Sequence, residues 1–276
     1  MNYRHAYHAG NFADVVKHLA LTAILLHLRK KDAPFAVIDS HAGRGRYDLA
    51  GAAAQRTGEA ANGIARLAGI ADAAGALGAY LGLARGADYP GSPLIAASLL
   101  RPQDRLVAIE KHPEEAAALK AALARFRNAH AEEGDGYKRL AALLPPPERR
   151  GLVLIDPPFE APDEFPAAAR ALAMGLKRFA TGVYLLWFPI KSAGEAHAFC
   201  GAVLAAGAKQ ALRIDIEIGD AGKAIGGKTR LTGAGLIVVN PPYGFAAEMR
   251  AGLATIVPLL ADKARADLRV LAGEAD

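Results

Sequence analysis

Apolar residues recur at helical spacing through Val15, Val16, Leu19, Ala23 and Leu26. This spacing predicts a helix with Asn11 as its N-cap and Asp14 three residues on, a short variant of the capping box. Its end is expected near Arg29-Lys30-Lys31, where cations suit the C-terminal dipole. Besides a strand read at 210–218, where polar and apolar residues alternate, short and mostly apolar runs then follow at 34–39, 105–110, 129–131, 151–155, 182–188 and 235–239. Runs of that length predict strands buried on both faces. Helical patterns separate most of them, at about 113–126, 163–178 and 192–206. Ser92-Pro93 opens another, with Ser92 read as the cap and Pro93 in the first turn.

Strands alternating with helices predict an α/β fold, a mostly parallel seven-stranded sheet covered on both faces. The last two strands, joined by a loop containing Lys223, Lys228 and Arg230, predict an antiparallel hairpin at one edge. Residues 50–91 read differently. They are rich in Ala and Gly, with helical spacing around Ile64, Leu67, Ile70, Leu77 and Leu81, and Tyr89-Pro90-Gly91 breaks the pattern. They are read as a small helical insert subdomain within one Rossmann-like domain formed by 1–49 and 92–276. The last residues, from Ala272 on, are expected to fray.

Composition narrows the class. A chain of 276 residues with 52% apolar side chains can bury a large core. It has no apolar run long enough to span a bilayer and no secretory h-region near its start, so no membrane association is expected. A single cysteine, Cys200, forbids an intrachain disulfide and fits a reducing, cytoplasmic compartment. Thirty-three basic against 28 acidic residues give a net charge of +5, which favours polyanion partners without identifying one. His5, His8, His18 and His41 have neither metal-ligand spacing nor a completing carboxylate, so no metal is expected.

Ligands of open α/β sheets sit at the carboxyl ends of the strands, and four features fall there. Gly43 and Gly45, after the strand ending at Asp39, allow close backbone approach, though Gly-x-Gly also fits an ordinary tight turn. Glu110 ends its strand as an acceptor suited to ribose hydroxyls, or as a solvated terminus. Its long interval from the Gly turn is explained by the insert. Asp135-Gly136 can meet an adenine amino group or simply form a turn. The fourth carries most weight. Leu152-Val153-Leu154-Ile155 runs into Asp156-Pro157-Pro158-Phe159. Two prolines remove two N–H donors and stiffen the exit. The Asp156 side chain and the carbonyls of Asp156 and Pro157 then suit an exocyclic amine bearing two protons. Phe159 offers a flat face for an unstacked base.

In this order, the motifs resemble class I S-adenosylmethionine-dependent amino-methyltransferases. The segments Tyr3-Arg4-His5-Ala6-Tyr7-His8-Ala9-Gly10-Asn11, Asp39-Ser40-His41-Ala42-Gly43-Arg44-Gly45-Arg46-Tyr47, Tyr89-Pro90-Gly91-Ser92-Pro93-Leu94-Ile95-Ala96 and Lys177-Arg178-Phe179-Ala180-Thr181-Gly182 resemble the RlmJ family across nearly the whole chain. The resemblance implies methylation of N6 of one adenine in 23S ribosomal RNA; the RNA is expected free or in an early assembly particle, and the protein as a monomer. It implies cofactor contacts at His18, His41, Gly43, Ser92, Glu110, Asp135, Gly136 and Asp156, with Lys17 close by. It implies Asp156, with Pro157 and Phe159, as the catalytic motif, and Tyr3, beside Arg4 and His5, as the substrate contact. Phe159 stands where the family often has Tyr, which keeps stacking and loses a phenolic hydrogen bond.

A second motif, Asn240-Pro241-Pro242-Tyr243, also follows a strand. It comes after the sixth strand–helix unit, away from the expected cleft, and is read as a rigid strand exit. Three alternatives share parts of the pattern. An N6-adenine DNA methyltransferase shares the motif but needs a recognition domain for which little chain is left. A nicotinamide oxidoreductase explains the Gly turn but not Asp-Pro-Pro-Phe. A non-catalytic RNA-binding module leaves the acid at position 156 without a purpose.

Overall fold

The computed structural model describes residues 5–86, 88–219 and 231–274. Helix α1 (Phe12–Leu28) starts at Asn11, whose side chain accepts from the Asp14 amide, so the predicted N-cap is present. Asp14 reaches back one residue further than a capping box requires, to the Gly10 amide. Strand β1 (Ala36–Asp39) follows, then a short strand β2 (Arg46–Asp48), helices α2 (Ala52–Thr57) and α3 (Gly75–Ala84), and β3 (Asp88–Pro90). β2 and β3 pair antiparallel with Tyr47 opposite Tyr89, so the chain leaves and re-enters the main body side by side.

The remaining elements alternate: α4 (Ser92–Leu99), β4 (Arg105–Glu110), α5 (Pro113–Leu123), β5 (Ala129–Glu133), α6 (Gly136–Leu143), β6 (Gly151–Ile155) and α7 (Glu164–Arg178). They continue with β7 (Val183–Pro189), α8 (Ala193–Ala205), β8 (Ala211–Glu217), β9 (Gly233–Val239), α9 (Phe245–Leu260) and β10 (Arg265–Ala272). The main sheet has eight strands in the order β10-β8-β9-β7-β6-β1-β4-β5. β5, β4, β1, β6 and β7 are parallel; β9 is antiparallel to both its neighbours. This is the expected doubly wound arrangement with two corrections. The β8–β9 pair is antiparallel, but β9 lies inside the sheet. The edge belongs to an eighth strand, β10, whose alternating exposed and half-buried residues hide it from a search for apolar runs.

Two apolar cores flank the sheet. One joins α1, α3, α4 and α9 to one face, and the other joins α6, α7 and α8 to the opposite face. α1 is buried on nearly every side, including Asp14, Lys17, His18 and Thr22. Polar groups in such a helix must find partners inside the protein. Their partners define the cleft at the carboxyl ends of the parallel strands. No helix among the described residues is long and apolar enough to cross a membrane.

Candidate active site

A cleft of about 1460 Å³ opens over the carboxyl ends of β1, β4, β5, β6 and β7 and reaches α1 and α2. Of the predicted site residues that are described, His5, Lys17, His18, His41, Gly43, Ser92, Glu110, Asp135, Gly136, Asp156, Pro157 and Phe159 all line it. Tyr3 and Arg4 lie outside the described residues, as do Lys223, Lys228 and Arg230.

Asp156 leaves β6 and its Oδ2 accepts from Lys17 Nζ at 2.6 Å. The same ammonium donates to Asp14 Oδ1 at 2.7 Å, and Asp14 Oδ2 accepts from His5 Nε2 at 2.9 Å. Lys17 is 4% exposed. Burial alone would push its pKa down, but the two carboxylates outweigh burial and hold it well above the ordinary lysine value. Burial likewise opposes ionisation of Asp14, and the His5 and Lys17 charges reverse that, leaving its carboxyl well below the usual range. A permanent cation therefore fixes one oxygen of Asp156 and leaves the other able to accept from a substrate.

Asp39 ends β1 fully buried. Its Oδ2 accepts from Ser92 Oγ at 2.7 Å, and burial first, then the Asp156 charge, raises its pKa to about 7. Ser92 is thus the first helical residue of α4 rather than its cap. Gly91 is the cap, and the hydroxyl is spent on Asp39. His18 is 1% exposed, contacts the Tyr89 hydroxyl at 2.7 Å, and is lowered to about 3 by burial. Tyr89 in turn meets Tyr80 of α3 at 2.9 Å. Ser40 Oγ donates to the Leu154 carbonyl, so at its 2.8 Å contact with His41 it accepts. His41 Nδ1 then carries the proton and Nε2 is left as an acceptor. Desolvation lowers this histidine to about 4, so it is neutral at physiological pH.

Glu110 stitches two loops together: its oxygens accept from the Gly43 amide at 2.9 Å and the His112 amide at 2.8 Å. Arg44, inside the Gly turn, grips Glu115 of α5 through two bonds of 2.9 and 3.0 Å. Asp135 caps α6 through the Lys138 amide and accepts from Lys111 Nζ at 3.1 Å. Gly136 has a packing reason as well: a Cβ there would stand 1.8 Å from the Ser40 carbonyl oxygen. His112, on the cleft wall, has a buried Nδ1 with no partner among the described residues. A buried orphan acceptor or donor at a ligand site is a place for a ligand atom.

Phe159 differs from expectation. Its backbone is left-handed (φ +50°) and its ring is 6% exposed, packed 4.6 Å from Phe165 and 5.7 Å from Trp187. The flat face foreseen for a base is largely covered, because the turn aims the side chain into the core below α7. Trp187, half-buried on β7, extends this aromatic wall into the cleft. Its apolar strand context gave no sign of that role. Asp14 was more legible: it stands three residues before Lys17 in a mostly apolar helix, a spacing that pairs side chains.

Asn240-Pro241-Pro242-Tyr243 emerges at the opposite end of the sheet. β9 runs antiparallel to β7, with Val239 opposite Tyr184, so its carboxyl end lies where β7 begins. Strand direction, rather than order along the chain, removes this motif from the cleft. Among the described residues no group of three or more His, Cys, Asp or Glu is arranged to hold a metal.

Comparison with known proteins gives the family. The family model described as ribosomal RNA large subunit methyltransferase D, RlmJ, matches residues 32–270. Ribosomal RNA large subunit methyltransferase J of Escherichia coli (strain K12) is 40% identical over 256 residues, covering 90% of each chain. The protein so named from Haemophilus influenzae is 36% identical over 258 residues, covering 91% of this chain and 90% of its own. A crystal structure of a protein from Legionella pneumophila str. Philadelphia 1 superposes with a TM-score of 0.86 at 32% identity, covering 95% of this chain and 98% of that one.

Proposed function

The chain belongs to the RlmJ family of ribosomal RNA large subunit methyltransferases, and from that premise we propose that it methylates N6 of an adenine in 23S ribosomal RNA at Asp156. The observation that carries the reading is the Lys17–Asp156 bond, which holds a carboxylate on a proline-rigid strand exit over the cleft. S-adenosylmethionine, when bound, supplies an electrophilic methyl group. The cleft fits such a group: the segments leaving the parallel strands are acidic, which suits a sulfonium, and the orphan His112 Nδ1 and the acceptor Nε2 of His41 await polar partners.

We assign His18, His41, Gly43, Ser92, Glu110, Asp135 and Gly136 to holding the cofactor, with Ser92 acting through Asp39. Asp156 and the Pro157 carbonyl accept the two hydrogens of the adenine amine. This localises the nitrogen lone pair for attack. Lys17 holds Asp156 in place through their 2.6 Å bond, so the gain is positioning and preorganised charge. The proton leaves the nitrogen after it becomes cationic, so no strong base is needed. Trp187 and Phe159 wall the base. Tyr3, Arg4 and His5 contact the RNA, and 50–91 forms a helical insert beside the one Rossmann-like domain. The protein acts as a cytoplasmic monomer on free RNA or an early particle.

The test is methyl transfer from labelled S-adenosylmethionine to unmodified 23S ribosomal RNA and, separately, to duplex DNA, followed by nucleoside digestion. Label in N6-methyladenosine from the RNA alone is expected. Label in the DNA, or in another nucleoside, overturns the assignment.

A further inference from the structure

The second Pro-Pro exit has no part in this chemistry, and its surroundings give it another. Asn240 takes a left-handed backbone (φ +53°) and donates from Nδ2 to the carbonyls of Ala180 and Gly182, both at 2.8 Å. These bonds fix the turn before α9 and leave Tyr243 79% exposed, against about 40% for any other exposed large apolar side chain described. His27, at the end of α1, lies beside the Tyr243 backbone, and burial together with Lys30, Arg150 and Lys31 lowers its pKa. One flat aromatic side chain thus stands next to a group of cations.

That group is part of a larger asymmetry. The five loops leading into the parallel strands (29–35, 100–105, 124–128, 145–150, 177–182) carry eleven Lys and Arg against three Asp and Glu. The five segments leaving those strands (39–45, 110–112, 133–135, 156–163, 189–192) carry three against seven. Helix C-termini gather at the basic pole, and their dipoles draw cations to the last turn. The draw fades beyond that turn, yet Lys31, Arg127 and Arg149 stand three, four and six residues past the ends of α1, α5 and α6. Arg29, Lys30, Lys31, Arg127, Arg149 and Lys177 are exposed and form no ion pair with any described residue. An excess of unpaired cations around an exposed aromatic is the footprint of a single-stranded nucleic-acid surface.

We propose that this pole is a second RNA-binding surface. Lys30, Lys31 and Arg149 hold the phosphates of RNA flanking the target, and an unpaired base stacks on Tyr243. The inference rests on the ribosomal RNA reading above. It also complements that reading: the described lining of the cleft is acidic, so those residues add little affinity for a polyanion. RNA fits better than an anionic membrane, because the apolar element is one ring rather than an amphipathic face.

The experiment uses the full chain and a K30E/K31E/R149E variant, with Tyr243→Ala alongside and thermal unfolding confirming that each folds. Binding to a long 23S transcript is measured across a salt series, and methyl transfer to a short hairpin containing the modified adenine is measured at saturating RNA. The triple variant is expected to bind the long transcript at least about tenfold more weakly, with a salt slope smaller by roughly 2 to 3, since each lost phosphate contact removes about 0.7–0.9. Its turnover on the hairpin is expected to match wild type. Tyr243→Ala is expected to weaken binding several-fold, roughly one lost stack, without changing the slope. Unchanged affinity and slope for the long transcript overturn the surface while leaving the catalytic reading intact. So does a triple variant defective only in binding phosphatidylserine vesicles. A wild-type chain that binds the transcript but methylates no RNA overturns the catalytic reading instead.

Discussion

The sheet ends in two exits built alike, an Asp or Asn followed by two prolines and an aromatic, and they behave as opposites. Asp156 sits half-buried in an acidic cleft, bound to a fully buried lysine, with its aromatic turned inward at 6% exposure. Asn240 sits at the basic pole, spends its amide on backbone carbonyls, and presents Tyr243 to solvent. The left-handed residue falls at the end of the first motif and at the start of the second, which aims the two aromatics differently. A short motif has no chemistry of its own. Strand direction decides which end of the sheet it joins, and the charges there decide what it can hold.

The largest effect should come from exchanging the acid of one exit and the amide of the other. Asp156→Asn is expected to lower methyl transfer by about 10²–10³-fold or more, the scale of losing one preorganised transition-state contact, with cofactor affinity in equilibrium binding nearly unchanged. Adding Asn240→Asp places an Asp-Pro-Pro-Tyr motif at the other pole and should restore nothing. Any rescue would break the comparison.

Next comes Lys17→Met. Removing the cation of a buried charge cluster leaves Asp156 without its partner and Asp14 with His5 alone, at a cost of about 3–5 kcal/mol in urea unfolding, and transfer should fall with it. A variant of unchanged stability would show that Asp156 is held by something else.

The pH dependence separates the cleft's own groups. His18 and His41 are depressed to about 3 and 4, so the unfolded chain takes up their protons first. The stability they contribute is present above about pH 6.5 and is lost as pH falls toward 4. Asp39 is raised to about 7, so its contribution runs the other way, fully present below about pH 4 and lost as pH rises through 7. Asp39→Asn should therefore steepen the acid loss of stability between pH 5 and 6.5 by up to one proton, about 1.4 kcal/mol per pH unit. Equal slopes for variant and wild type would contradict the raised carboxyl.

The smallest effect belongs to the second motif. Asn240→Ala loses two hydrogen bonds and forces Ala into a left-handed backbone, which should cost roughly 1–3 kcal/mol of stability. Transfer to a short RNA hairpin at 25 °C should be unchanged.

Much of this was legible in the sequence because the central strands are buried on both faces and read as unbroken apolar runs. The motifs at their ends inherit their positions from that order. Two features were not legible. β10 is a half-exposed edge strand whose pattern, charged residues included, resembles a loop. The place of β9 between β7 and β8 depends on long-range pairing that no local pattern encodes, so chain order alone sets Asn240 apart in the sequence, without the geometry. In the cleft, residue types suggested the ligand-facing groups, but partners far apart in sequence stayed hidden. Ser92 looked like a cap until Asp39 was beside it, and Phe159 looked like an open platform until Phe165 and Trp187 covered it.

The most direct test of the central claim is the yield of N6-methyladenosine per 23S ribosomal RNA, by digestion and mass spectrometry, for wild type, Asp156→Asn and Asn240→Ala. The account predicts one modified adenosine per RNA from wild type and Asn240→Ala and, in the same early reaction time, a yield at least about 10²-fold lower from Asp156→Asn. N6-methyladenosine formed by Asp156→Asn at a rate near wild type would contradict it.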